Sequence, residues 1–288
     1  MVRAKKSKGE VKEEVKEAAV EESADNHTED VKKDVPEVDS SGWVPKTRLG
    51  REVKAGEISS LDPVLDSGMK IMEAEITDRL LPGLEIEFMM IGQSKGKFGG
   101  GQRRIFKQVQ KKTSEGNKPR FAVCVAIGNC DGIVGIGLGK SRETMPARDK
   151  AIRNAKLAVF KIRRGCGSWE CGCGEPHTIP FRVEGKCGSV TIKLMPAPKG
   201  TGLRCDKECQ KILKLAGISD IWSKTYGQAR SKINIIMACE AALRRLVKTR
   251  VRQDYYETLG ITEGPAAKTE QACEATAESA NSGEGNDE

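Results

Sequence analysis

The stretch RFAVCVAIGNCDGIVGIGLGKS, residues 120–141, decides the fold of the region around it. Two apolar runs, 121–127 and 133–138, flank the tetrapeptide Asn129-Cys130-Asp131-Gly132. Asparagine and glycine accept the positive backbone angles of tight turns, and apolar runs on both sides of such a turn are typical of paired strands. The stretch therefore predicts an antiparallel β-hairpin.

The glycines of GIVGIGLGKS invite comparison with phosphate-binding loops, but neither known spacing fits. A Walker loop needs a glycine five places before the glycine of Gly-Lys-Ser, and that place, counted from Gly139, is Val134. A dinucleotide fingerprint fails too, because Lys140 lies three residues beyond Gly137. Such small residues instead indicate that a neighbouring backbone or protein comes close.

The segments around the hairpin alternate between helix and strand patterns. Residues 143–164 predict a helix with one apolar and one basic face, and residues 76–91 predict a short helix. Further along, strand-like runs at 178–183 and 189–195 are joined by Glu184-Gly185-Lys186. Helices are predicted from Asp206 to Gly217 and over 233–250. Short mixed elements favour an α+β fold in two layers over a wound parallel sheet.

Charge is distributed unevenly along the 288 residues. Residues 1–40 carry a net charge of −4 and residues 254–288 a net charge of −8, whereas residues 41–253 carry +20. Both ends are charged or of low complexity and are predicted to be disordered. A middle this basic needs a polyanionic partner, and nucleic acid is the natural one. The alternative is a soluble protein with evenly spread lysines.

Two further compositional features bear on location. The sequence has no run of eighteen apolar residues and no apolar segment after its basic start, so we expect no membrane span and no secretory signal. The cytosol is then the expected compartment. Ten cysteines there are more often free thiols or metal ligands than disulfides.

Residues 95–112, KGKFGGGQRRIFKQVQKK, contain seven basic residues and no acidic one. We interpret them as a flexible basic loop that leads into a strand or short helix. Lysine and arginine reach phosphates, and the glycines allow close approach, so the loop is expected to contact an RNA backbone. The alternative is a surface loop without an RNA contact.

Three cysteines and a histidine lie close together in RRGCGSWECGCGEPH, residues 163–177. Cys166, Cys171, Cys173 and His177 match the four soft ligands of a structural zinc site, although the common Cys-x2-Cys pair is absent. The alternative is a glycine-rich loop with free thiols whose histidine contacts RNA.

Catalysis at such a zinc ion is the second functional hypothesis. Glu170 and Glu175 could serve as the general base of an RNA-directed zinc enzyme. However, the His-x-Glu and Pro-Cys-x2-Cys pieces of zinc deaminases do not occur. We therefore expect no enzyme, no catalytic residue and no small-molecule substrate.

Three long segments, at 121–162, 177–203 and 213–243, together resemble the universal S-five family of small-subunit ribosomal proteins, whose eukaryotic counterpart is S-two. The likeness runs from about residue 42 to about residue 250, and GWVPKTRLGREVKAGEI with the Cys/His stretch resembles the archaeal type. The resemblance implies a structural, rRNA-binding protein of the small subunit that supports its assembly. It also implies a place near the neck and the side where mRNA enters, beside proteins S-four, S-three and S-eight, and a part in translational accuracy.

The resemblance also implies a domain order. A double-stranded-RNA-binding-like domain is expected first and an α/β two-layer sandwich second. The expected boundaries are 1–40 for a disordered tail, 41–80 for an arm and lead-in helix, 81–162 for the first domain, 163–177 for the Cys/His loop, 178–253 for the second domain and 254–288 for an acidic disordered tail.

Basic residues in these segments are the expected rRNA contacts. The family's contacting loop falls on KKTSEGNKPR, residues 111–120, and Arg163 and Arg164 are expected at the mouth of the Cys/His loop. The full predicted set is Lys95, Lys97, Arg103, Arg104, Lys107, Lys111, Lys112, Lys118, Arg120, Arg148, Arg153, Arg163, Arg164 and Lys199.

Overall fold

Three short helices lead into the first sheet, where the sequence predicted an arm and a lead-in helix. The computed structural model describes residues 43–94, 96 and 102–265. The described residues from Pro45 onward form one unit. The helices are α1 (Arg48–Ala55), α2 (Asp62–Asp66) and α3 (Ala74–Leu80). The predicted tail 1–40, the part of the predicted acidic tail after residue 265, and the predicted contacts Lys95 and Lys97 lie outside the described residues.

The first sheet has five strands, and the hairpin predicted from the sequence is at its centre. The strands are β1 (Glu85–Phe88), β2 (Lys107–Thr113), β3 (Gly116–Gly128), β4 (Ile133–Ser141) and β5 (Val159–Lys161). β3 pairs antiparallel with β1, β2 and β4, and β4 pairs with β5. Asn129 closes the central turn, because its Oδ1 accepts the N–H groups of Asp131 at 2.9 Å and Ile133 at 3.1 Å.

The glycines of β4 allow helix α4 (Thr144–Leu157) to lie directly on the strand. A Cβ atom added to Gly137 would lie 2.2 Å from the carbonyl oxygen of Ala151, and one added to Gly139 would lie 2.2 Å from that of Ala147. Real Cβ atoms essentially never come that close to backbone. The prediction that small residues admit a neighbouring backbone is therefore confirmed, and that neighbour is α4.

The helix predicted over residues 143–164 is wrong in its second half. α4 ends at Leu157, and the chain then continues as β5 and as β6 (Arg163–Arg164). The β-branched and aromatic side chains of Val159 and Phe160 suit a strand, and pairing with β4 satisfies their backbone. The short helix predicted over residues 76–91 is wrong in its second half too. Pro82 and Gly83 divide this segment into the end of α3 and strand β1.

The second sheet has four strands with two helices on one face. Its elements are β7 (Val183–Cys187), β8 (Val190–Pro196), β9 (Leu203–Arg204), α5 (Lys207–Leu215), β10 (Ile221–Tyr226) and α6 (Lys232–Lys248). The spatial order is β7-β8-β10-β9, and only the β10–β9 pair is parallel. Both predicted helices are confirmed, and the α+β class predicted from the sequence is confirmed with them.

The strand predicted over 178–183 is wrong, because β7 begins where that run ends. The predicted turn at 184–186 lies inside β7, and the real turn includes Gly188, which has a φ of 59°. Gly185 had suggested a turn, but its role is packing: a Cβ there would lie 2.1 Å from the carbonyl oxygen of Ala238 in α6. Glycine at this position serves helix contact, as it does in β4.

One hydrophobic core extends through both sheets. Cys124 and Ile136 of the first sheet belong to the same buried cluster as Ile212 and Leu213 of α5. The face of the first sheet opposite α4 is therefore covered by the second domain. Among the described residues, no helix is long and apolar enough to cross a bilayer.

The acidic tail predicted to begin at residue 254 begins later. Residues 254–265 form α7 (Asp254–Thr258) and β11 (Thr262–Glu263), and β11 pairs antiparallel with β6. We call this segment the C-terminal strap. At its centre, the Leu259 carbonyl oxygen accepts the Cys166 N–H at 2.8 Å. The strap therefore belongs to the folded body.

Candidate metal centre and nucleic-acid interface

The four predicted metal ligands converge at one point. Cys166 Sγ, Cys171 Sγ, Cys173 Sγ and a ring nitrogen of His177 all lie within 4.8 Å of one another. Cys171 Sγ is 3.4 Å from Cys173 Sγ and 3.8 Å from His177 Nε2. Ligand atoms about 2.0–2.3 Å from a tetrahedral zinc ion stand roughly 3.5–3.8 Å apart. The donor set and its spacing therefore fit one zinc-sized ion.

Glycines and the strap shape the loop that carries these ligands. A Cβ on Gly167 would lie 2.0 Å from the carbonyl oxygen of Pro180, so only glycine passes there without a shift of backbone. Gly174 has a φ of 67°, and its carbonyl oxygen would lie 1.7 Å from a Cβ on Gly260 of the strap. The loop is thus folded tightly against the second domain and the strap.

His177 is buried, and both its ring and its backbone are held. Its Nδ1 lies 2.9 Å from Asp220 Oδ2, and its carbonyl oxygen accepts the Ser219 N–H at 2.9 Å. Asp220 is only 3% exposed. The carboxylate that contacts the histidine is 43 residues away along the chain, and no sequence pattern connected the two.

The thiol nearest the histidine is prepared to ionise. A hydrogen bond from the Lys199 backbone, with further ones from Cys173, lowers the pKa of Cys171 to about 6. The thiolate is the form that binds metals. These hydrogen bonds therefore favour the form of Cys171 that binds metals.

The glutamates considered as a general base do not serve that role here. Glu175 Oε2 is 2.7 Å from Lys199 Nζ, an ion pair that lowers the pKa of the carboxyl group. With four protein ligands converging, the centre has the closed ligand set of a structural site and not the open position of a catalytic one.

Trp169, between Cys166 and Cys171 in the same loop, does not pack on the loop, because its side chain is 87% exposed.

Arg163 and Arg164 were predicted to contact rRNA, and the structure corrects this. Both residues are 5% exposed. Arg163 donates to Glu263 Oε1 at 2.7 Å and to the carbonyl oxygens of Leu246 at 3.1 Å and Thr249 at 2.7 Å, at the C-terminal end of α6. These groups already occupy its guanidinium, which therefore faces the protein interior and not the solvent.

Arg164 is held in a similar way on the other side of the same strand. Its Nη2 donates to Asp131 Oδ1 at 2.6 Å, in the turn of the central hairpin, and to the carbonyl oxygen of Gly264 at 3.3 Å. Charge alone had suggested a phosphate ligand. The structure uses this arginine to join the hairpin turn to the strap.

The β2–β3 hairpin presents the largest group of exposed predicted contacts. Lys111 lies opposite Lys118 in the ladder, and Lys112 lies opposite Asn117. Lys118 pairs with Glu115 at 2.6 Å. The exposed cations without an ion-pair partner in the described part of the hairpin are Lys107, Lys111, Lys112 and Arg120. We call these four the hairpin cations.

The remaining predicted contacts are dispersed. Arg104 and Arg153 are exposed, and Arg103 is half-buried. Arg148 is also half-buried, with its guanidinium carbon 5.5 Å from the centre of the Phe88 ring. Lys199 is exposed and paired with Glu175.

Two exposed cations outside the predicted set lie beside the hairpin. Lys140 and Arg142 line a cavity of about 500 Å³ together with Arg120 and Glu143, at the N-terminal end of α4. Three cations against one carboxylate, at a helix N-terminus, favour anions there. The signal in the sequence was GKSRE, where basic residues alternate across the junction of strand and helix.

Comparison with known proteins agrees with this architecture. Residues 105–163 match the family model "Ribosomal protein S5, N-terminal domain", and residues 185–253 match "Ribosomal protein S5, C-terminal domain". The first match contains β2 to β5 of the first sheet, the second contains most of the second sheet with α5 and α6, and the Cys/His loop falls between them.

Several archaeal proteins are similar over most of the chain, each named small ribosomal subunit protein uS5. That of Nanoarchaeum equitans is 49% identical over 222 residues, and that of Methanocaldococcus jannaschii is 45% identical over 222 residues; each alignment covers 77% of this chain and 95% of the relative. That of Thermofilum pendens is 48% identical over 206 residues, which is 72% of this chain and 95% of the relative.

Proposed function

This chain belongs to the ribosomal protein S5 family, archaeal type, and from that premise we propose that it anchors rRNA in the small subunit through its β2–β3 hairpin. Members of the family are structural constituents of the small ribosomal subunit and not enzymes, and this chain is one of them, located in the cytoplasmic ribosome. Its partners are therefore rRNA and other ribosomal proteins.

The hairpin cations are the observation that supports this rRNA surface. Four exposed cations project from one hairpin without an ion-pair partner in its described residues, and Lys140 and Arg142 continue the positive surface. Phosphate contacts by lysine and arginine release counterions, which provides most of the affinity. The other exposed members of the proposed contact set, Arg104, Arg153 and Lys199, extend it beyond the hairpin.

The position in the subunit follows the family. We propose that the first domain is double-stranded-RNA-binding-like and that the protein lies near the neck and the side where mRNA enters. Its neighbours there would be proteins S-four, S-three and S-eight, and its contact with S-four would support translational accuracy. The helix α4 on an antiparallel sheet supports the first part of this proposal.

Cross-linking of assembled small subunits tests the placement. Ultraviolet cross-links to rRNA should map to Lys107, Lys111 and Lys112, and lysine-reactive cross-links should reach the three named neighbours. Cross-links to rRNA from the second sheet alone would overturn the hairpin assignment, and failure to sediment with small subunits would overturn the function itself.

We propose that the Cys/His cluster binds one structural zinc ion. The support is geometric: four soft ligands converge within 4.8 Å. Bound zinc would close the loop by joining three thiols to a histidine that Asp220 already holds. The residues that hold it would be Cys166, Cys171, Cys173 and His177.

Metal content measures this directly. One zinc per chain is expected by mass spectrometry of the purified protein, and none when Cys171 and Cys173 are both replaced by serine. Cys187→Ser, at the end of β7 and outside the cluster, is the matched control and should retain the ion. Absence of zinc from the natural protein, with all thiols titrating freely, would contradict the metal assignment.

A further inference from the structure

The residue that orients the metal-binding histidine is Asp220. His177 Nδ1 lies 2.9 Å from Asp220 Oδ2, and the other carboxylate oxygen, Oδ1, accepts the Gly202 N–H at 2.8 Å. The Asp220 carboxylate is 5% exposed and the His177 side chain 8%. Both partners are therefore removed from water, and the geometry of the pair is fixed by the protein.

This contact sets which ring nitrogen carries the proton. A carboxylate only accepts hydrogen bonds, so the nitrogen that faces Asp220 must be the donor, Nδ1–H. In the neutral ring the proton is then absent from Nε2, which has a free lone pair. That atom faces Cys171 Sγ at 3.8 Å, inside the group of thiols. The histidine is thereby prepared as a ligand before any ion arrives.

The same carboxylate also holds a second loop. At one end of this loop, the Gly202 N–H donates to Asp220. At the other end, the Ala197 N–H donates to Oγ1 of Thr178, the residue after His177, at 3.4 Å. Residues 197–202 are thus attached at one end to Asp220 and at the other end to Thr178, the residue that follows His177. Lys199, one of the proposed rRNA contacts, lies exposed in that loop.

We propose that Asp220 is the positioning residue of the metal centre, holding Nε2 of His177 toward the thiols and linking the ion to the loop that presents Lys199. This inference rests on the zinc site proposed above. Hydrogen-bond acceptors behind metal-binding histidines contribute about 10–100-fold to metal affinity in known sites. We expect an effect of that size here.

An isosteric substitution isolates this role. Asp220 accepts two hydrogen bonds, one on each oxygen, from Gly202 N–H and from His177 Nδ1–H. In Asp220→Asn one of the two oxygens becomes an NH2 donor, so one contact must be lost or the histidine must move its proton to Nε2. A proton on Nε2 blocks the metal-binding atom.

Zinc affinity is the first measurement, by competition with a chromophoric chelator. Asp220→Asn should bind zinc 10–100-fold more weakly than the natural protein. Glu175→Gln is the matched control, because it removes the side-chain ion pair with Lys199 beside the cluster and keeps the backbone N–H that contacts Cys173; its affinity should stay within about twofold. Equal zinc affinity in Asp220→Asn and the natural protein would overturn the inference while leaving the zinc site intact.

Nitrogen NMR of the histidine rings gives a second, independent result. The chain has two histidines, so ¹⁵N-histidine labelling resolves the His177 ring. The metal-free natural protein should show the proton on Nδ1, and this needs no variant to fold. A proton on Nε2 in the natural protein would contradict the inference, whereas absence of zinc from the natural protein would contradict the zinc site itself.

Discussion

Two groups of basic side chains in this protein have the same charge and opposite roles. The hairpin cations project into solvent with no ion-pair partner in the described part of the hairpin, whereas Arg163 and Arg164 are buried and held by carboxylates and carbonyl oxygens. Both groups lie in strands, and both looked like phosphate ligands in the sequence. A basic residue is available to RNA where the fold leaves it in solvent, and not where it is desolvated among carboxylates and carbonyl oxygens.

The difference has a physical basis in desolvation. A guanidinium taken out of water must replace its lost hydration with hydrogen bonds and an opposite charge. Removing those partners is costly, because the charge then stays buried without compensation. Lysines that stay in water give up little and can exchange counterions for phosphates. We therefore expect the buried pair to control stability and the hairpin to control RNA affinity, with little overlap.

Replacing Arg164 should have the largest effect on stability. Arg164→Ala leaves Asp131 without its partner and breaks the link between the hairpin turn and Gly264. We expect the free energy of unfolding to fall by about 3 kcal/mol, the low end for buried pairs because Asp131 is partly exposed. Urea denaturation measures this. RNA affinity of the folded variant should be unchanged, and a stable variant with weakened RNA binding would reverse the assignment.

Shortening the chain at residue 253 should have the next largest effect. This removes the strap, and with it Glu263 and the Leu259 carbonyl that accepts from Cys166. We expect the free energy of unfolding to fall by about 2 kcal/mol, because Arg163 keeps its hydrogen bonds to the end of α6 but loses the carboxylate of Glu263. A chain that ends at residue 265 is the control and should be as stable as the full chain. Equal stability of the two shortened chains would show that the strap contributes nothing.

Neutralising the hairpin should leave stability almost untouched. With Lys107, Lys111 and Lys112 all changed to glutamine, the free energy of unfolding should move by less than about 0.5 kcal/mol. The slope of log affinity for rRNA against log salt should fall by about 3. Lys186→Gln with Lys224→Gln, on the second sheet, is the control. If this control lowers the slope by as much per residue, binding is diffuse and not located on the hairpin.

The smallest effect is expected from freeing one more hairpin lysine. Lys118 is paired with Glu115 at 2.6 Å in an exposed position, where such pairs contribute less than about 1 kcal/mol. Glu115→Gln should therefore bind rRNA more tightly, by up to about fivefold at low salt, and the gain should shrink as salt is raised. Filter binding at two salt concentrations is sufficient. Weaker binding would mean that the pair orders the hairpin for RNA.

Much of the fold could be predicted because its signals are local. The central hairpin, α5 and α6 each follow from a turn, a cap or an apolar period within a short window. The secondary-structure prediction was wrong at one glycine and at short strands. Gly185 suggested a turn because sequence cannot show the helix that lies against it, and β5 and β6 are too short to interrupt a helical pattern.

The amino-acid sequence by itself determined the charge of the body, the order of its main elements, its family and the four residues of the Cys/His cluster. Only the tertiary structure decided that Asp220 supports His177, that Arg163 and Arg164 turn inward and that the strap joins the body. These contacts connect residues between 33 and 100 positions apart. Patterns over a few residues encode backbone angles and buried faces, but which distant groups become desolvated together is settled only when the sheets pack.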